Sequence, residues 1–217
     1  MNPLTRHFPL YGLRLTTPRL TLRLPDPAEL AALADVAADG VHDAAIMPFN
    51  VPWSEAPPAE RAFGVVRHHF EMLGRIGAER WAIPFAVFHG DGVVGMQDIG
   101  SREFAITRQV GSGSWLGQRF HGKGIGTEMR AAILHLAFDG FGAEVAVSAA
   151  HVDNPASLAV SRKLGYRENG TERVTPGGKP NVLQRLLIDR EAWAENRAVD
   201  VTVEGLDDCR DLLGLPA

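Results

Sequence analysis

Trp115-Leu116-Gly117-Gln118-Arg119-Phe120-His121-Gly122-Lys123-Gly124-Ile125-Gly126-Thr127 is the stretch on which the reading of this chain turns. Glycines at alternate positions, Gly122, Gly124 and Gly126, strip the Cβ from one side of a turn, so that successive backbone N–H groups can converge on an anion. Ile125, Met129, Ala132, Ile133, Leu136 and Ala137 then recur at helical spacing and predict a packed amphipathic helix, ended by Asp139-Gly140-Phe141-Gly142. The start of such a helix adds free N–H groups and the positive end of its dipole to the same spot. The stretch reads as a phosphate cradle between a strand and a helix.

Two common phosphate loops do not fit it. Gly117-x-x-x-x-Gly122-Lys123 follows a Walker A motif up to the last position, where Gly124 stands in place of the Ser or Thr that would hold Mg²⁺. A dinucleotide fingerprint asks for Gly-x-Gly-x-x-Gly and an acidic residue ending the next strand, whereas Gly122-x-Gly124-x-Gly126 is spaced differently and Glu144 begins that strand. A glycine turn without a ligand stays open on this motif alone.

With 217 residues, 45% of them hydrophobic, the chain is expected to form one domain with a substantial core. A net charge of −4 and scattered Lys and Arg give no basic run for nucleic acid. The start of the chain shows no charged leader followed by an apolar core, and the apolar run near Trp81–Phe88 is too short and Pro-broken to span a bilayer. No membrane partner and a cytoplasmic protein are expected. The lone Cys209 rules out an internal disulfide, and the eight His show no metal-ligand spacing, so no metal is expected.

Taken in order, Arg19–Leu24 alternates as a first strand, and Asp26-Pro27 caps a helix that Gly40 ends. The Pro- and aromatic-rich stretch from Val41 to Trp53 predicts a long ordered loop that shapes an acceptor pocket or packs at an edge. Pro57-Pro58 opens a helix to about Ile76 with Phe63, Val66, Phe70 and Leu73 on one face. Trp81–Phe88 and Val93–Ile99 form a hairpin around His89-Gly90-Asp91-Gly92. A strand is expected over Ile106–Leu116, broken at Gly111-x-Gly113 just before the cradle. Glu144–Val152 reads as a strand buried on both faces, Asn154-Pro155 as the cap of a helix ended by Gly165, and Tyr166–Val174 with Asn181–Ile188 as a closing hairpin. Asp189 onward starts a short helix, followed by a tail in which Val199, Val201 and Val203 alternate. The pattern predicts an α/β (α+β) layer with a mixed, mostly antiparallel sheet and one parallel crossover at the glycine loop.

Arg119-x-x-Gly122-x-Gly124, Asn154-Pro155-Ala156-Ser157 and Arg162-Lys163-Leu164-Gly165-Tyr166 together resemble the GCN5-related N-acetyltransferase (GNAT) family, over about Thr16–Trp193. Thr17-Pro18-Arg19-Leu20 and the Asn-x-x-Ser form are similar to the branch of ribosomal-protein N-terminal acetyltransferases, RimJ and RimL. Gly40-Val41-His42-Asp43, Val51-Pro52-Trp53 and Ser112–Gly117 resemble most closely a mycobacterial member described as a succinyltransferase. The resemblance implies the GNAT fold over residues 1–195, with residues 196–217 as a C-terminal extension packed on the domain or on a partner subunit. It implies an N-acyltransferase using acetyl-CoA or succinyl-CoA on a primary amine of a protein or small molecule. Homo-oligomer formation through the apolar tail is a further expectation.

What that chemistry asks of the residues follows. Arg119, Gly122, Lys123, Gly124, Ile125, Gly126 and Thr127 would hold the pyrophosphate, and Arg162 would join the coenzyme site. The backbone around Trp115 and Leu116 would pair with the pantetheine amides and stabilise the oxyanion, where the cradle strand and the Glu144 strand splay apart. Asn154 either bonds the pantetheine arm or only caps its helix. The family's usual acid, a Tyr seven residues after the Asn, is Ser161 here, which shifts the expectation to Ser157 as proton donor to the thiolate, unless Ser157 bonds back to its own turn. The missing Tyr also allows a non-catalytic acyl-CoA sensor. Asp98, His42, Asp43 and His151 are candidate bases with none singled out, and Arg102 or Arg108 would meet a succinyl carboxylate.

Overall fold

The computed structural model describes residues 3–43, 46–197 and 199–216. The chain enters its sheet twice before the first long helix, as β1 (Arg14–Thr16) and β2 (Leu20–Arg23), which pair antiparallel. Helix α1 (Pro27–Asp39) starts on a capping box in which Asp26 accepts from the Glu29 N–H while the Glu29 carboxylate accepts from the Asp26 N–H. After the long loop, α2 (Pro58–Leu73) returns, and the hairpin β3 (Arg80–His89) and β4 (Gly92–Arg102) follows. Next come α3 (Phe104–Thr107), β5 (Gln109–Gly111), β6 (Ser114–Leu116), α4 (Ile125–His135) and β7 (Val145–His151). The chain closes with α5 (Pro155–Lys163), β8 (Arg167–Val174), β9 (Asn181–Asp189), α6 (Arg190–Glu195), β10 (Thr202–Glu204) and α7 (Arg210–Leu213).

The strands form one sheet in the order β10-β1-β2-β3-β4-β5-β7-β9-β8, with β6 attached to β4. All pairs are antiparallel except β5 with β7, the parallel crossover through α4. One face carries α4 over Leu22, Ile83, Phe85 and Ile99. The other carries α1 and α2 over Ala86, Phe88, Met96 and Trp115.

Three local expectations change. Ile106–Arg108 is not strand: Glu103 (φ 49°) and Arg108 (φ 48°) bracket one helical turn that carries Phe104 into an aromatic cluster with Trp81 and Phe141. On α2, Phe63 and Phe70 are 65% and 59% exposed, and the face turned inward is that of Val65 and His69. Strand β7 is not buried on both faces along its length. Ala146 and Ala150 point into the core while Val145 and Val147 on the other face are half-buried and Ala149 is exposed. The alternating tail supplies β10, which pairs with β1. Beyond it Cys209 and Leu213 are fully buried, and the Trp81 indole Nε1–H donates to the Leu213 carbonyl at 2.9 Å.

Candidate active site

The glycine turn is built as its residues dictate. Gly122 (φ 73°) and Gly124 (φ 79°) both take left-handed backbone, which an L side chain adopts only at a cost. Gly124 is the residue before α4 and no side chain caps the helix. The first backbone bond of α4 is Glu128 N–H to the Gly124 carbonyl, 3.1 Å, so the N–H groups of Ile125, Gly126 and Thr127 precede the ladder. A Cβ on Gly126 would come 3.8 Å from Leu116 and 3.9 Å from Val160, ordinary contact distances, so the packing of α4 on β6 and α5 does not itself require this glycine.

What holds the turn was not foreseen. Glu128, in the first turn of α4, is buried, and its Oε1 accepts from the Thr17 hydroxyl (2.6 Å) and the Arg19 N–H (3.0 Å). Its Oε2 accepts from the Arg19 Nε–H at 2.6 Å, and the same guanidinium donates to the Lys123 carbonyl at 3.0 Å. Burial alone would raise the Glu128 carboxyl, but the bonds from Thr17 and Arg19 outweigh it and hold the group below its ordinary value. The cluster clips the turn to the segment between β1 and β2. It explains why Thr17 and Arg19 belong together in the sequence.

Strand β6 lies along β4 but leaves β7. Parallel pairing of β5 with β7 ends at Gly111 opposite Val147, and Ser114–Leu116 pairs only with β4. The Asp98 N–H bonds the Gly113 carbonyl and the Gly117 N–H bonds the Val94 carbonyl. By alternation Trp115 turns its backbone groups to Met96, while those of Ser114 and Leu116 face the gap. The Leu116 carbonyl also meets His121 Nε2 at 3.1 Å. On the α4 side of the gap the buried Arg130 guanidinium donates to Ser114 Oγ (3.2 Å) on one strand and Ser148 Oγ (3.1 Å) on the other, leaving its Nε–H without a partner among the described residues.

At the far side of the gap, Asn154 caps α5 by accepting from the Ser157 N–H at 3.1 Å, and its amide NH₂ has no hydrogen-bond partner among the described residues. The Ser157 hydroxyl is half-buried and has no hydrogen-bond partner among the described residues. Ser161 is fully buried and donates its hydroxyl to the Ser157 carbonyl at 3.2 Å, so the back-bonding serine is the one in the tyrosine's place. Arg162 is exposed on the last turn, its Nε–H on the Leu158 carbonyl at 3.4 Å. Arg119 is paired with Asp39 at 2.6 Å, and both it and Lys123 lie over the Phe120 ring.

The long loop closes over the opposite face. His151, fully buried at the end of β7, donates Nδ1–H to the Met47 carbonyl at 2.8 Å and meets the Asn50 amide through Nε2 at 2.7 Å. His42 Nε2 meets Ser54 Oγ at 2.7 Å, and His42, Phe49, Trp53 and Trp115 follow one another in ring contact. Both histidines therefore hold the loop. Arg108 lies 6.0 Å from the Phe104 ring, away from the gap.

The site thus sets a glycine turn at a helix start beside an open strand edge. The acetyltransferase (GNAT) domain family matches residues 19–167. The chain belongs to that family, whose activity is acyl transfer from acyl-coenzyme A. Its fold is similar to Mycobacterium smegmatis RimJ in complex with CoA-disulfide, at 17% identity and TM-score 0.65 over 92% of this chain and 93% of that one. It is also similar to RimL, a ribosomal L7/L12 alpha-N-protein acetyltransferase in complex with coenzyme A, at 21% identity and TM-score 0.59 over 81% and 96%. A chimera of the Vibrio cholerae spermidine N-acetyltransferase SpeG matches at 17% identity and TM-score 0.61 over 81% and 98%. No helix among the described residues is long and apolar enough to cross a membrane.

Proposed function

We propose that this protein transfers an acetyl or succinyl group from its CoA thioester to a primary amine, foremost the α-amine of a protein N-terminus, by direct attack. The observation that carries this reading is the gap between β6 and β7, which leaves the Ser114 and Leu116 backbone groups facing an open edge next to the free N–H groups of Ile125, Gly126 and Thr127. Pantetheine amides would extend that edge as a strand does, and the Leu116 N–H would receive the oxyanion. Asn154 would hold the arm through its free NH₂, and the unengaged Ser157 hydroxyl would hand its proton to the departing thiolate. A succinyl carboxylate would meet Arg130, the one buried Arg or Lys among the described residues and the one aimed at the gap, in preference to Arg102 or Arg108.

The test is release of free thiol from acetyl-CoA and succinyl-CoA, each with a panel of peptides bearing free α-amines and with spermidine, and product mass to locate the acyl group. Turnover with one donor and an N-terminally acylated peptide supports the reading. CoA binding without thiol release from any pair would identify a sensor instead.

A further inference from the structure

On the hairpin of β3 and β4, Arg80, Ala82, Asp98, Gly100 and Arg102 alternate with Trp81, Ile83 and Ile99, which pack under α4, so they point to the other face. Helices α1 and α2 pack on that face over Ala86 and Met96. Toward the far end of the hairpin Arg80 and Arg102 are exposed, and a cleft of about 550 Å³ opens, lined by Arg80, Ala82, Asp98, Gly100, Arg102 and Gly111 among others. No described residue of β6, β7, α4 or α5 lines it, so the cleft is separate from the coenzyme gap.

The floor of the cleft is backbone and small side chains. Strands β4 and β5 pair only at Gly100 and Gly111, and a Cβ on Gly100 would come within 2.9 Å of the Trp81 carbonyl and 3.1 Å of the Ala82 Cβ. Its rim is held by hydrogen bonds. The Ser101 hydroxyl donates to the Gln109 carbonyl at 2.6 Å, the Thr107 hydroxyl to the Arg102 carbonyl at 3.2 Å, and the Glu103 N–H to the Glu79 carbonyl at 2.7 Å. Asp98 closes the inner end, about 13 Å along β4 from Arg102. Its Oδ1 accepts from the Gly113 N–H at 2.6 Å.

At the outer end Arg80 and Arg102 stand directly opposite each other on the ladder. Like charges so placed, with Cβ atoms roughly 4.5–5.5 Å apart, destabilise a strand pair. Neither guanidinium has a hydrogen bond or an ion pair among the described residues, and the two carboxylates of the lining, Asp98 and Glu103, lie beyond ion-pair distance of both. The same juxtaposition elsewhere in the sheet is neutralised. Arg14 stands opposite Arg23, and there Glu29 takes the Arg23 guanidinium at 2.5 Å while Glu204 lies opposite Arg14 on the next strand. The arginines of the cleft are left with two charges and two donor forks facing open space.

We propose that this cleft binds a phosphate dianion, free or as the monoester of a small molecule, between the guanidinium groups of Arg80 and Arg102. A phosphate carries close to two charges at neutral pH and has oxygens enough to take a fork from each arginine, whereas a single carboxylate has one charge and two oxygens, which one fork uses up. The body of a monoester would lie inward over Gly100 and Ala82. This site does not depend on the transfer reading above, since it shares no residue with the coenzyme turn or the gap.

Arg80→Gln and Arg102→Gln test it, since each removes one fork from an exposed position without touching the core. Calorimetric titration with inorganic phosphate and with phenyl phosphate is run in chloride buffer at constant ionic strength. All three proteins keep the glycine turn, so phosphate bound there is common to them, and the difference between them reads the cleft. The expected result is a Kd for both probes raised about tenfold or more in each variant, at unchanged CoA affinity. In chloride alone each variant should melt no lower than wild type, because the like-charge contact is gone, and added phosphate should raise the melting temperature of wild type more than that of either variant. Phenyl phosphate bound more tightly than phosphate, and weakened by Ala82→Leu, identifies a monoester as the ligand; equal affinities, indifferent to Ala82→Leu, assign the site to free phosphate. A wild type that binds neither probe, or affinities that agree among wild type and both arginine variants, overturns the site.

Discussion

Glu128→Gln isolates the clip that holds the coenzyme turn. The substitution preserves volume, so the effect comes from hydrogen bonding. One amide oxygen can still accept from Thr17 and the Arg19 N–H, but the NH₂ that replaces Oε2 would face the Arg19 Nε–H, a donor against a donor, across what is now a 2.6 Å bond. A hydrogen bond to a charged group contributes about 1.5–3 kcal/mol, and the lower end applies because the Arg19 side chain is 45% exposed. At roughly 2–4 °C per kcal/mol for a chain of this size, a loss of about 1.5–2 kcal/mol lowers the melting temperature by about 3–8 °C. Arg19, no longer anchored, also loses its hold on the Lys123 carbonyl, and the turn samples states in which its N–H groups no longer converge. If half to all of that energy is felt at the coenzyme, the Kd rises about four- to thirtyfold. Calorimetric titration with CoA and thermal unfolding measure both. The folded-state pKa of Glu128 lies below its unfolded value, so its stabilisation is present above about pH 4.5 and is lost as pH falls through the folded value. The wild-type advantage over Glu128→Gln should therefore shrink at low pH. A Glu128→Gln protein with wild-type CoA affinity and melting temperature would refute the clip.

Gly124→Val should abolish measurable CoA binding, since a branched residue at φ 79° costs about 1–2 kcal/mol or more and its Cβ would stand 3.3 Å from Arg19 Nη2; calorimetry showing intact affinity would exclude the cradle. Ser157→Ala should lower kcat at least about tenfold at unchanged CoA affinity while Ser161→Ala does much less, because only the Ser157 hydroxyl is unengaged; equal kcat in wild type and Ser157→Ala would assign thiolate protonation to water. His69, pushed down to about 4 by burial and then by His68, is neutral when folded and charged when unfolded below about pH 6.5, so stability should fall between pH 6.5 and 4 by up to about 3 kcal/mol; a His69→Leu variant should lack that part of the slope in chemical denaturation. Leu213→Ala should cost about 2–5 kcal/mol of unfolding free energy, because the tail is core; a variant that melts as wild type does would return the tail to the surface.

What the sequence determined by itself is what depends on neighbours along the chain. The Asp26-Pro27 helix start, the Asn154-Pro155 helix start and the glycine turn at 122 and 124 are each set by one residue's backbone freedom or by a side chain reaching three positions away, and all three stand as read. Hydrophobic periodicity likewise placed the long helices and hairpins. It failed where the burial of a stretch is decided by a distant element. Phe63 and Phe70 read as a core face although α1 meets the Val65 side of α2, and Ile106 reads as strand although Phe104 is drawn to Trp81 and Phe141. The site divides in the same way. Its glycine turn was legible, whereas the clip joining Glu128 to Thr17 spans 111 residues of chain, and Asp98 becomes distinct from other aspartates only when the Gly113 N–H comes to lie against it. Local conformational preference is written residue by residue, but which charged group is buried, and opposite what, is a property of strands paired across the sheet, and only the tertiary structure decides it.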